Sequence, residues 1–389
     1  MITDTIFEHF ADVYNKKIDS LIKKPITVDP SDRVSKVINK LSQYNTYGAF
    51  HQDDNRILTT ETRTLLRVKG IAGTKVEQFL YPIRSVKKRD TINDASNIMA
   101  HYRLREIPVV DKKNNLIGAI YAKDILKLMN KNDNKWIKAS LIHTQNPITI
   151  SSTDSLGTAR KLMNSKKIDH LPVIKNGIIS QVLTSYHVLT NIPSEERLGK
   201  ELIGQKKVRK FEAQVGNIGT TRIQTCDARD NLNNILSSML KTDTTCSLVS
   251  LWDTLQGIIT YRDILSLLAP KMESEIPLYI IGLPEDQNTE LIVAKFKNTL
   301  EKVRKVYNQI QEARISIKQH RSGRRKEGKY DVTALIITPR KSYNFKDVGF
   351  DLGNVVEQTN KKLMRSLTQR AKKRDKPSIR KIGKPVAPR

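Results

Sequence analysis

The sequence predicts an α/β fold of tandem repeats in the first 270 residues, followed by an α+β domain. Three observations support this: a strand-helix-strand-strand-helix pattern occurs four times, a strand-helix-three-strand-helix pattern follows it, and the charge becomes strongly basic after residue 270. A chain of 389 residues is also too long for one ordinary hydrophobic core, so we expect two or more separately packed units.

Each repeat opens with a short strand-like segment that leads to an acidic residue, two positions before an aliphatic one. The four segments begin at Pro25, Ile83, Pro147 and Thr221, and their acidic residues are Asp32, Asp90, Asp154 and Asp230. An Asp side chain can accept a hydrogen bond from a free backbone N–H in the first turn of a helix. We therefore expect each acidic residue to be a helix N-cap.

A helix and two further strands follow each opening segment. In the second repeat Ile92, Ala95 and Met99 recur at spacings of three and four, which places them on one helix face. The next strand reads Ile107-Pro-Val-Val there and Leu171-Pro-Val-Ile in the third repeat. A last strand and helix close the unit, so each repeat is predicted to be β-α-β-β-α.

These patterns predict seven segments. They are an N-terminal helix at 1–17, repeats 1 to 4 at 18–76, 77–135, 136–198 and 199–272, a C-terminal domain at 275–374 and a basic disordered tail at 375–389.

The aliphatic-Pro-Val strand and the Gly-aliphatic-aliphatic-Thr-x-x-Asp ending resemble the CBS domain family over about residues 15 to 270. The resemblance implies two pairs of repeats, which allow stacking into a homodimer. It also implies that clefts between paired repeats bind an adenine nucleotide or S-adenosylmethionine as a regulatory ligand. In this family the terminal Asp holds the ribose hydroxyls, and the Thr or Ser reaches toward phosphate.

The repeats keep this ending to different degrees. The fourth has both Thr260 and Asp263, the second has Tyr121 with Asp124, the third has His187 at the Asp position and the first has Arg63 there. The resemblance implies ligand contacts by Thr260, Asp263, Tyr121, Asp124, Ile107, Pro108 and Thr184. The alternative for the two Asp residues is a solvated acid that stabilises the first helical turn.

The composition indicates a polyanionic partner, because Lys and Arg exceed Asp and Glu by 28. Residues 271–389 hold 28 Lys or Arg against 13 Asp or Glu, so more than half of the excess lies there.

No apolar run is long enough to span a membrane, and the N-terminus lacks a signal-peptide layout. With only two cysteines, the chain is expected in the cytoplasm. Metal-ligand spacings and catalytic motifs are lacking in the sequence, so we expect no enzyme.

The basic C-terminal domain is predicted to contain strands near residues 278–281, 313–318, 330–338 and 342–346. Its first helix is predicted to start at Thr289 with an apolar face extending to Tyr307 and Ile310, and its last helix to start at Asp351. This β-α-β-β-β-α order is shared by double-stranded-RNA-binding domains and ribosome hibernation factors.

Two segments resemble the hibernation-promoting factors over residues 277–374. One is 290–315, which covers the first helix and the start of the second strand, and the other is 356–367 in the last helix, with its Lys-Leu-x-Arg-x-Leu pattern. The resemblance implies binding to rRNA in the mRNA and tRNA channel of the small ribosomal subunit, which blocks translation. Basic side chains can neutralise the phosphates of structured RNA without reading its bases. The predicted RNA contacts are Lys295, Lys302, Lys305, Arg321, Arg324, Arg325, Lys326, Lys329, Lys361, Lys362, Arg365, Lys372, Lys373 and Arg374.

Two other functions remain compatible with the sequence. One is a nucleotide-responsive transcription regulator that uses the basic domain on DNA. The other is a regulatory subunit whose CBS repeats control an enzyme or a transporter. Retention on DNA without ribosome co-sedimentation favours the first, and a protein partner that stays bound at high salt favours the second.

Overall fold

The structure is a computed structural model, and the chain forms two compact units, Met1–Pro270 and Lys271–Arg389. It describes residues 2–54, 56–68, 70–71, 73–192, 212–252, 254–269, 278–282, 289–306, 310, 312–320, 329–338 and 342–374. Within these ranges, no helix combines the length and the apolar character that crossing a membrane requires.

The first unit begins with two short helices and continues with the four repeats. The helices before repeat 1 are α1 (Ile2–His9) and α2 (Ala11–Tyr14). Repeat 1 contains α3 (Val34–Gln43), β1 (Gly48–Asp53), β2 (Arg56–Glu61) and α4 (Thr62–Leu65). Strand β3 (Tyr81–Pro82) leads to repeat 2, with β4 (Val86–Lys87), α5 (Ile92–Tyr102), β5 (Glu106–Val110), β6 (Leu116–Tyr121) and α6 (Ala122–Met129).

Repeats 3 and 4 have the same order of elements. After α7 (Ala139–Ile142) and β7 (Thr144–Gln145), repeat 3 contains β8 (Ile150–Ser151), α8 (Leu156–Lys166), β9 (His170–Lys175), β10 (Ile178–Thr184) and α9 (Ser185–Thr190). Repeat 4 contains β11 (Thr225–Cys226), α10 (Leu232–Thr242), β12 (Cys246–Leu251), β13 (Thr254–Thr260) and α11 (Tyr261–Leu265). The opening strand lies parallel to the next strand in repeats 2, 3 and 4, and a single parallel bridge from Thr27 to Phe50 replaces it in repeat 1.

The prediction that the repeated acidic residue caps the helix is wrong by one position. In repeat 2 the N-cap is Thr91, whose hydroxyl accepts from the backbone N–H of Asp94, and Ser155 and Asn231 cap the equivalent helices. The acidic residue instead closes the turn before the helix, because its carboxylate accepts from the backbone N–H three residues earlier. This bond joins Asp32 to Asp29, Asp90 to Lys87, Asp154 to Ser151 and Asp230 to Asp227.

Repeats pair by exchanging edge segments. The segment that enters repeat 1 lies beside β6 of repeat 2 through a bridge from Lys23 to Ala119, and β3, which enters repeat 2, pairs with β2 of repeat 1. In the same way β7 pairs with β13 of repeat 4, and Thr220 bridges to Val182 of repeat 3. Repeats 1 and 2 therefore form one pair, and repeats 3 and 4 form the other.

The hydrophobic cores connect the two pairs. One core combines mainly side chains of repeats 2 and 4 with the N-terminal helices, including Phe10, Ile107 and Ile264, and Phe50 and Ile57 of repeat 1 also pack into it. A second core combines repeats 1 and 3, including Leu65 and Val188. The four repeats thus form one unit in which each repeat shares a sheet with one neighbour and a core with another.

The described residues of the second unit form a four-stranded sheet with two helices. Its elements are β14 (Leu278–Ile281), α12 (Thr289–Val306), β15 (Glu312–His320), β16 (Lys329–Ile337), β17 (Ser342–Gly349) and α13 (Leu352–Arg374). The strand order is β14-β15-β16-β17, with β14 parallel to β15 and the other neighbours antiparallel. Ile310 lies beyond the end of the first helix rather than on its face, and Tyr307 is outside the described residues. The relation of this unit to RNA-binding domains stays a prediction.

Candidate ligand-binding cleft

A cleft of about 610 Å³ opens in the first unit, and we call it the Asp124 cleft. Repeats 1, 2 and 4 all contribute to its walls. They supply, among others, Lys24, Lys40 and Tyr47 from repeat 1, Arg105, Glu106, Tyr121 and Asp124 from repeat 2, and Asp243, Thr245 and Tyr261 from repeat 4. Its volume lies within the usual range for small-molecule sites, roughly 300 to 1,000 Å³.

Asp124 lies in the first turn of α6, directly after strand β6, and is buried apart from 8% of its surface. One carboxylate oxygen lies 2.6 Å from the Lys23 ammonium group, and the other lies 3.3 Å from that of Lys127. A carboxylate has about four acceptor positions, so two ion pairs leave capacity for hydroxyl donors. The site therefore holds a buried anion that can accept further hydrogen bonds.

The segment that carries Lys23 is fixed at the cleft by the backbone. Its N–H and C=O exchange hydrogen bonds with Ala119, and the Tyr121 hydroxyl donates to the Lys24 carbonyl at 3.0 Å. The segment passes so close to β6 that a Cβ on Gly118 would lie 2.3 Å from the Ile22 side chain. Gly257 stands in the same relation to His143 in repeat 4. The repeated glycine is thus required because a partner segment crosses it.

Repeat 4 contributes to the cleft through the end of α10. Asp243 ends this helix in the left-handed conformation, and its carboxylate accepts from Asn45 at 2.8 Å and from Lys123 at 2.6 Å. Asn45 also has a positive φ and follows the corresponding helix of repeat 1. These contacts of Asp243 therefore join repeat 4 to repeats 1 and 2 in the wall of the cleft.

Arg105 lies at the point where all four repeats approach each other. Its guanidinium group stacks 3.8 Å from the centre of the Tyr47 ring and donates to Nε2 of His170 at 3.4 Å. The same nitrogen lies 2.7 Å from the Thr245 hydroxyl. Burial, followed by the charge of Arg105, lowers the pKa of His170 to about 3, so this ring is neutral at physiological pH.

Glu106 is the second acid of the cleft and is 6% exposed. Its carboxylate accepts from the backbone N–H of Tyr47 at 2.9 Å. Burial raises the pKa of Glu106 to about 7, although the Tyr47 N–H and the Arg105 charge act in the opposite direction. The cleft therefore contains an acid that changes charge near neutral pH.

The structure brings together only some of the predicted ligand residues. Tyr121 and Asp124 line the cleft, whereas Ile107 and Pro108 are buried in β5 and do not. Thr260 and Asp263 form a capping box at α11, and Asp263 also accepts from the Thr144 hydroxyl at 3.1 Å. That geometry corresponds to the structural alternative for Asp263, and its ligand role stays a prediction.

The endings of repeats 1 and 3 make contacts of their own. Thr184 forms a capping box with His187, and burial lowers the pKa of that histidine. Arg63 donates to Glu61 at 2.6 Å and to Asp169 of repeat 3 at 3.0 Å, and it is 9% exposed. In repeat 1, the arginine of an internal ion pair therefore occupies the position that carries the Asp in repeats 2 and 4.

Sequence reasoning missed several side chains of the cleft, among them Lys23, Arg105, Asp243 and Tyr261. Lys23 and Asp243 come from segments outside the repeat ending, and they reach the cleft only through the exchanged strand and the contact between pairs. The one local signal at Asp243 is its residue type, because Asp adopts the left-handed backbone conformation more readily than most residues. Pair assembly, and not a motif, brings these residues together.

The predicted RNA-binding residues are distributed over the second unit. Lys295, Lys302 and Lys305 are exposed on α12, Lys361, Lys362 and Arg365 are exposed on α13, Lys329 is exposed at the start of β16, and Lys372, Lys373 and Arg374 lie in the last turn of α13. Lys361 pairs with Glu357 and Lys362 with Asp347, so acids neutralise part of this surface. Arg321, Arg324, Arg325 and Lys326 lie outside the described residues. Those residues that the structure does describe contain no group of three or more potential metal ligands.

Comparison with known proteins identifies the repeats. The family model for the CBS domain matches residues 76–131 and 139–194. Uncharacterized protein MJ1404 of Methanocaldococcus jannaschii is 25% identical over 334 residues, or 83% of this chain and 78% of that protein. An uncharacterized 33.4 kDa protein in a ribosomal RNA operon of Thermofilum pendens is 22% identical over 51% of this chain and 66% of its own length.

A crystal structure shares the fold of the first unit. Protein MJ1225 of Methanocaldococcus jannaschii is 17% identical and superposes with a TM-score of 0.58, over 64% of this chain and 99% of that one. The residues that the CBS family model matches correspond to repeats 2 and 3. Repeats 1 and 4 contain the same succession of helices and paired strands. The chain therefore carries tandem CBS domains, arranged as CBS pairs in a mixed α/β fold.

Proposed function

We propose that the first unit is a regulatory receptor for an adenosine-type ligand, that the ligand binds in the Asp124 cleft, and that the protein acts by regulation rather than catalysis. The observation that carries this proposal is the position of Asp124: a buried carboxylate faces a cleft of about 610 Å³ between paired CBS repeats. Pairs of CBS domains typically bind adenosine ligands in regulatory roles.

The chemistry of the cleft suits such a ligand. The Asp124 carboxylate can accept hydrogen bonds from both hydroxyls of a ribose, and charged acceptors make stronger hydrogen bonds than neutral ones. Tyr44, Tyr47 and Tyr261 supply aromatic surface for a purine ring in the same cleft. Because repeats of both pairs line the cleft, a bound ligand contacts both pairs and favours the arrangement in which they meet.

Thermal unfolding of the full chain with AMP tests this proposal. A ligand that binds only the folded state stabilises it by about 2.7 kcal/mol at a hundredfold excess over Kd. Asp124→Asn keeps the side-chain volume but removes the charge, and we expect it to weaken AMP binding at least tenfold. Asp263→Asn is the matched control at the equivalent position of repeat 4, and we expect it to bind AMP as the wild type does. Loss of binding in the control alone would place the ligand in repeat 4 and contradict the assignment of the cleft.

The second unit supports one further candidate function, which is binding of structured RNA, with the ribosome as the target. Exposed basic side chains lie on both of its helices, and residues 271–389 carry the larger part of the net charge. One relative is named for its place in a ribosomal RNA operon. In this proposal the ligand state of the first unit controls translation through the second, as in ribosome hibernation.

A regulatory subunit of an enzyme or a transporter is the other candidate, and the match to the CBS family supports it without any appeal to the second unit. Sucrose-gradient sedimentation of cell extract at low and high salt separates the two proposals. A ribosome-bound protein sediments with the small subunit or the whole ribosome and dissociates as salt is raised, because phosphate contacts are salt-dependent. A regulatory subunit stays in a complex of constant size outside the ribosomal fractions.

A further inference from the structure

The Asp124 cleft carries more positive than negative charge. Six of its lining residues are basic and three are acidic. The basic residues are Lys23, Lys24, Lys40, Lys123, Lys127 and Arg105, and the acidic ones are Glu106, Asp124 and Asp243. An excess of this kind inside a concave site concentrates anions, since the low-dielectric walls focus the field into the cleft.

The acids of the cleft are already used by some of these cations. Asp124 pairs with Lys23 and Lys127, and Asp243 pairs with Lys123. Glu106 makes no ion pair within the described part of the chain, and its carboxylate binds the Tyr47 N–H instead. These ion pairs therefore engage two of the three carboxylates and leave part of the positive charge of the cleft uncompensated.

Three cations of the cleft form no ion pair with any described carboxylate. Lys24 is exposed, and its backbone is held in place by the Tyr121 hydroxyl. Lys40 donates to the Thr27 carbonyl at 2.6 Å, which leaves its charge unbalanced. Arg105 stacks on the Tyr47 ring and contacts the neutral His170, and its charge acts on the buried Glu106 and Asp169 without an ion pair to either. These cations come from two repeats and meet on one cleft.

We infer that Lys24, Lys40 and Arg105 select an adenosine ligand that carries phosphate groups, and that the cleft binds ATP more tightly than AMP and AMP more tightly than adenosine. This inference rests on the proposed binding of adenosine ligands in the cleft. S-Adenosylmethionine carries a sulfonium cation in place of the phosphates, so the same residues repel it. The specificity of the cleft is thus for the anionic arm of the ligand, while Asp124 serves the ribose.

Calorimetric titration of the full chain with adenosine, AMP, ATP and S-adenosylmethionine at low, constant ionic strength and without divalent cations tests this inference. We expect the affinity to rise at least tenfold from adenosine to ATP, and S-adenosylmethionine to bind more weakly than AMP. Raising the salt concentration should weaken ATP binding and leave adenosine binding nearly unchanged, because only the ionic contacts are screened.

Charge-removing variants locate the effect. We expect Lys24→Gln and Lys40→Gln each to lower the ATP affinity at least threefold and to leave the adenosine affinity unchanged. Lys161→Gln, at an exposed lysine of α8 outside the cleft, is the matched control and should change neither. Equal loss of ATP and adenosine binding in the cleft variants, or binding of S-adenosylmethionine at least as tight as that of ATP, overturns the inference but leaves the proposed receptor function intact. Failure of all four compounds to bind overturns both.

Discussion

Arg63 of repeat 1 donates to the carboxylate of Asp169 of repeat 3 at 3.0 Å, so an ion pair joins the two CBS pairs. The Arg63 side chain also donates to Glu61, and the exposed fractions of the three side chains are only 10%, 17% and 11%, in the order Arg63, Asp169 and Glu61. Burial acts to raise the pKa of Asp169, but Arg63 and Arg105 outweigh it and lower that pKa. The ion pair thus persists at physiological pH.

Removal of this arginine should destabilise the first unit strongly. We expect Arg63→Ala to lower its free energy of unfolding by about 3 to 5 kcal/mol, because two buried carboxylates lose their partner. Both tryptophans of the chain, Trp136 and Trp252, lie in the first unit, so urea unfolding followed by tryptophan fluorescence reports on that unit alone. Arg56→Ala is the control: it breaks an exposed ion pair with Asp53 and should cost no more than about 1 kcal/mol. Similar losses in both variants would show that the buried pair contributes little.

Glu106 should make the stability of the first unit depend on pH. Its pKa is about 7 in the folded protein, above the ordinary value of 4.5, so the folded state binds the proton more tightly than the unfolded state. The stability from this group is present below pH 4.5 and is lost as the pH rises through 7, by an amount of about 3 kcal/mol. Glu106→Gln mimics the protonated form, and we expect it to be more stable than the wild type at pH 8 and similar to it at pH 4.5.

The difference in unfolding free energy between wild type and Glu106→Gln, measured in urea at several pH values, isolates this effect from other titrating groups. Ile178→Ala, which removes an exposed side chain that does not titrate, should give a nearly constant difference across the same range. A constant difference for Glu106→Gln as well would contradict the raised pKa.

Gly118 should not tolerate a side chain. A Cβ there would lie 2.3 Å from the Ile22 side chain and 3.0 Å from the Lys23 carbonyl, so Gly118→Ala must displace the exchanged segment. We expect a loss of about 1 to 3 kcal/mol in urea unfolding. Gly73→Ala, where no atom lies within 4 Å of the added Cβ, should change stability by less than about 0.5 kcal/mol.

A second substitution separates steric crowding from a general effect of alanine. Ile22→Ala removes the nearest atom, so the double variant with Gly118→Ala should lose less stability than the sum of the two single variants. Additive losses would mean that the close approach of Ile22 is not the cause.

RNA binding by the second unit should depend on the exposed face of α13. We expect replacement of Lys361, Lys362 and Arg365 by Glu to reduce ribosome association at low salt at least tenfold, without a change in the circular dichroism spectrum. Replacement of the exposed Lys87, Lys88 and Arg89 by Glu makes the same change in net charge in the first unit. If that control reduces association equally, the effect comes from total charge and not from α13.

Much of the fold could be predicted from the sequence, because the repeat pattern is local. The spacing of Ile92, Ala95 and Met99 predicts a helix, and α5 spans all three. The N-cap was misplaced by one residue in every repeat, since Asp is favoured both at a cap and in the turn before it. Only the backbone geometry distinguishes the two positions.

The candidate site was less predictable, because its residues come from different repeats. The ending Tyr121 and Asp124 could be found by its spacing, and both residues line the cleft. The better match to the family ending, Thr260 and Asp263, is instead engaged in a capping box. A close match to the family motif does not show whether a ligand has room beside it, because segments from other repeats determine that space.

The exchange of edge segments within each pair, together with the cores that join repeat 1 to 3 and repeat 2 to 4, has a consequence for cooperativity. A single repeat that opened would leave its partner with an unpaired strand edge and would expose the core that it shares with a repeat of the other pair. Local opening is therefore nearly as costly as opening the whole first unit, and slow amide hydrogen exchange should be shared by all four repeats rather than confined to one of them.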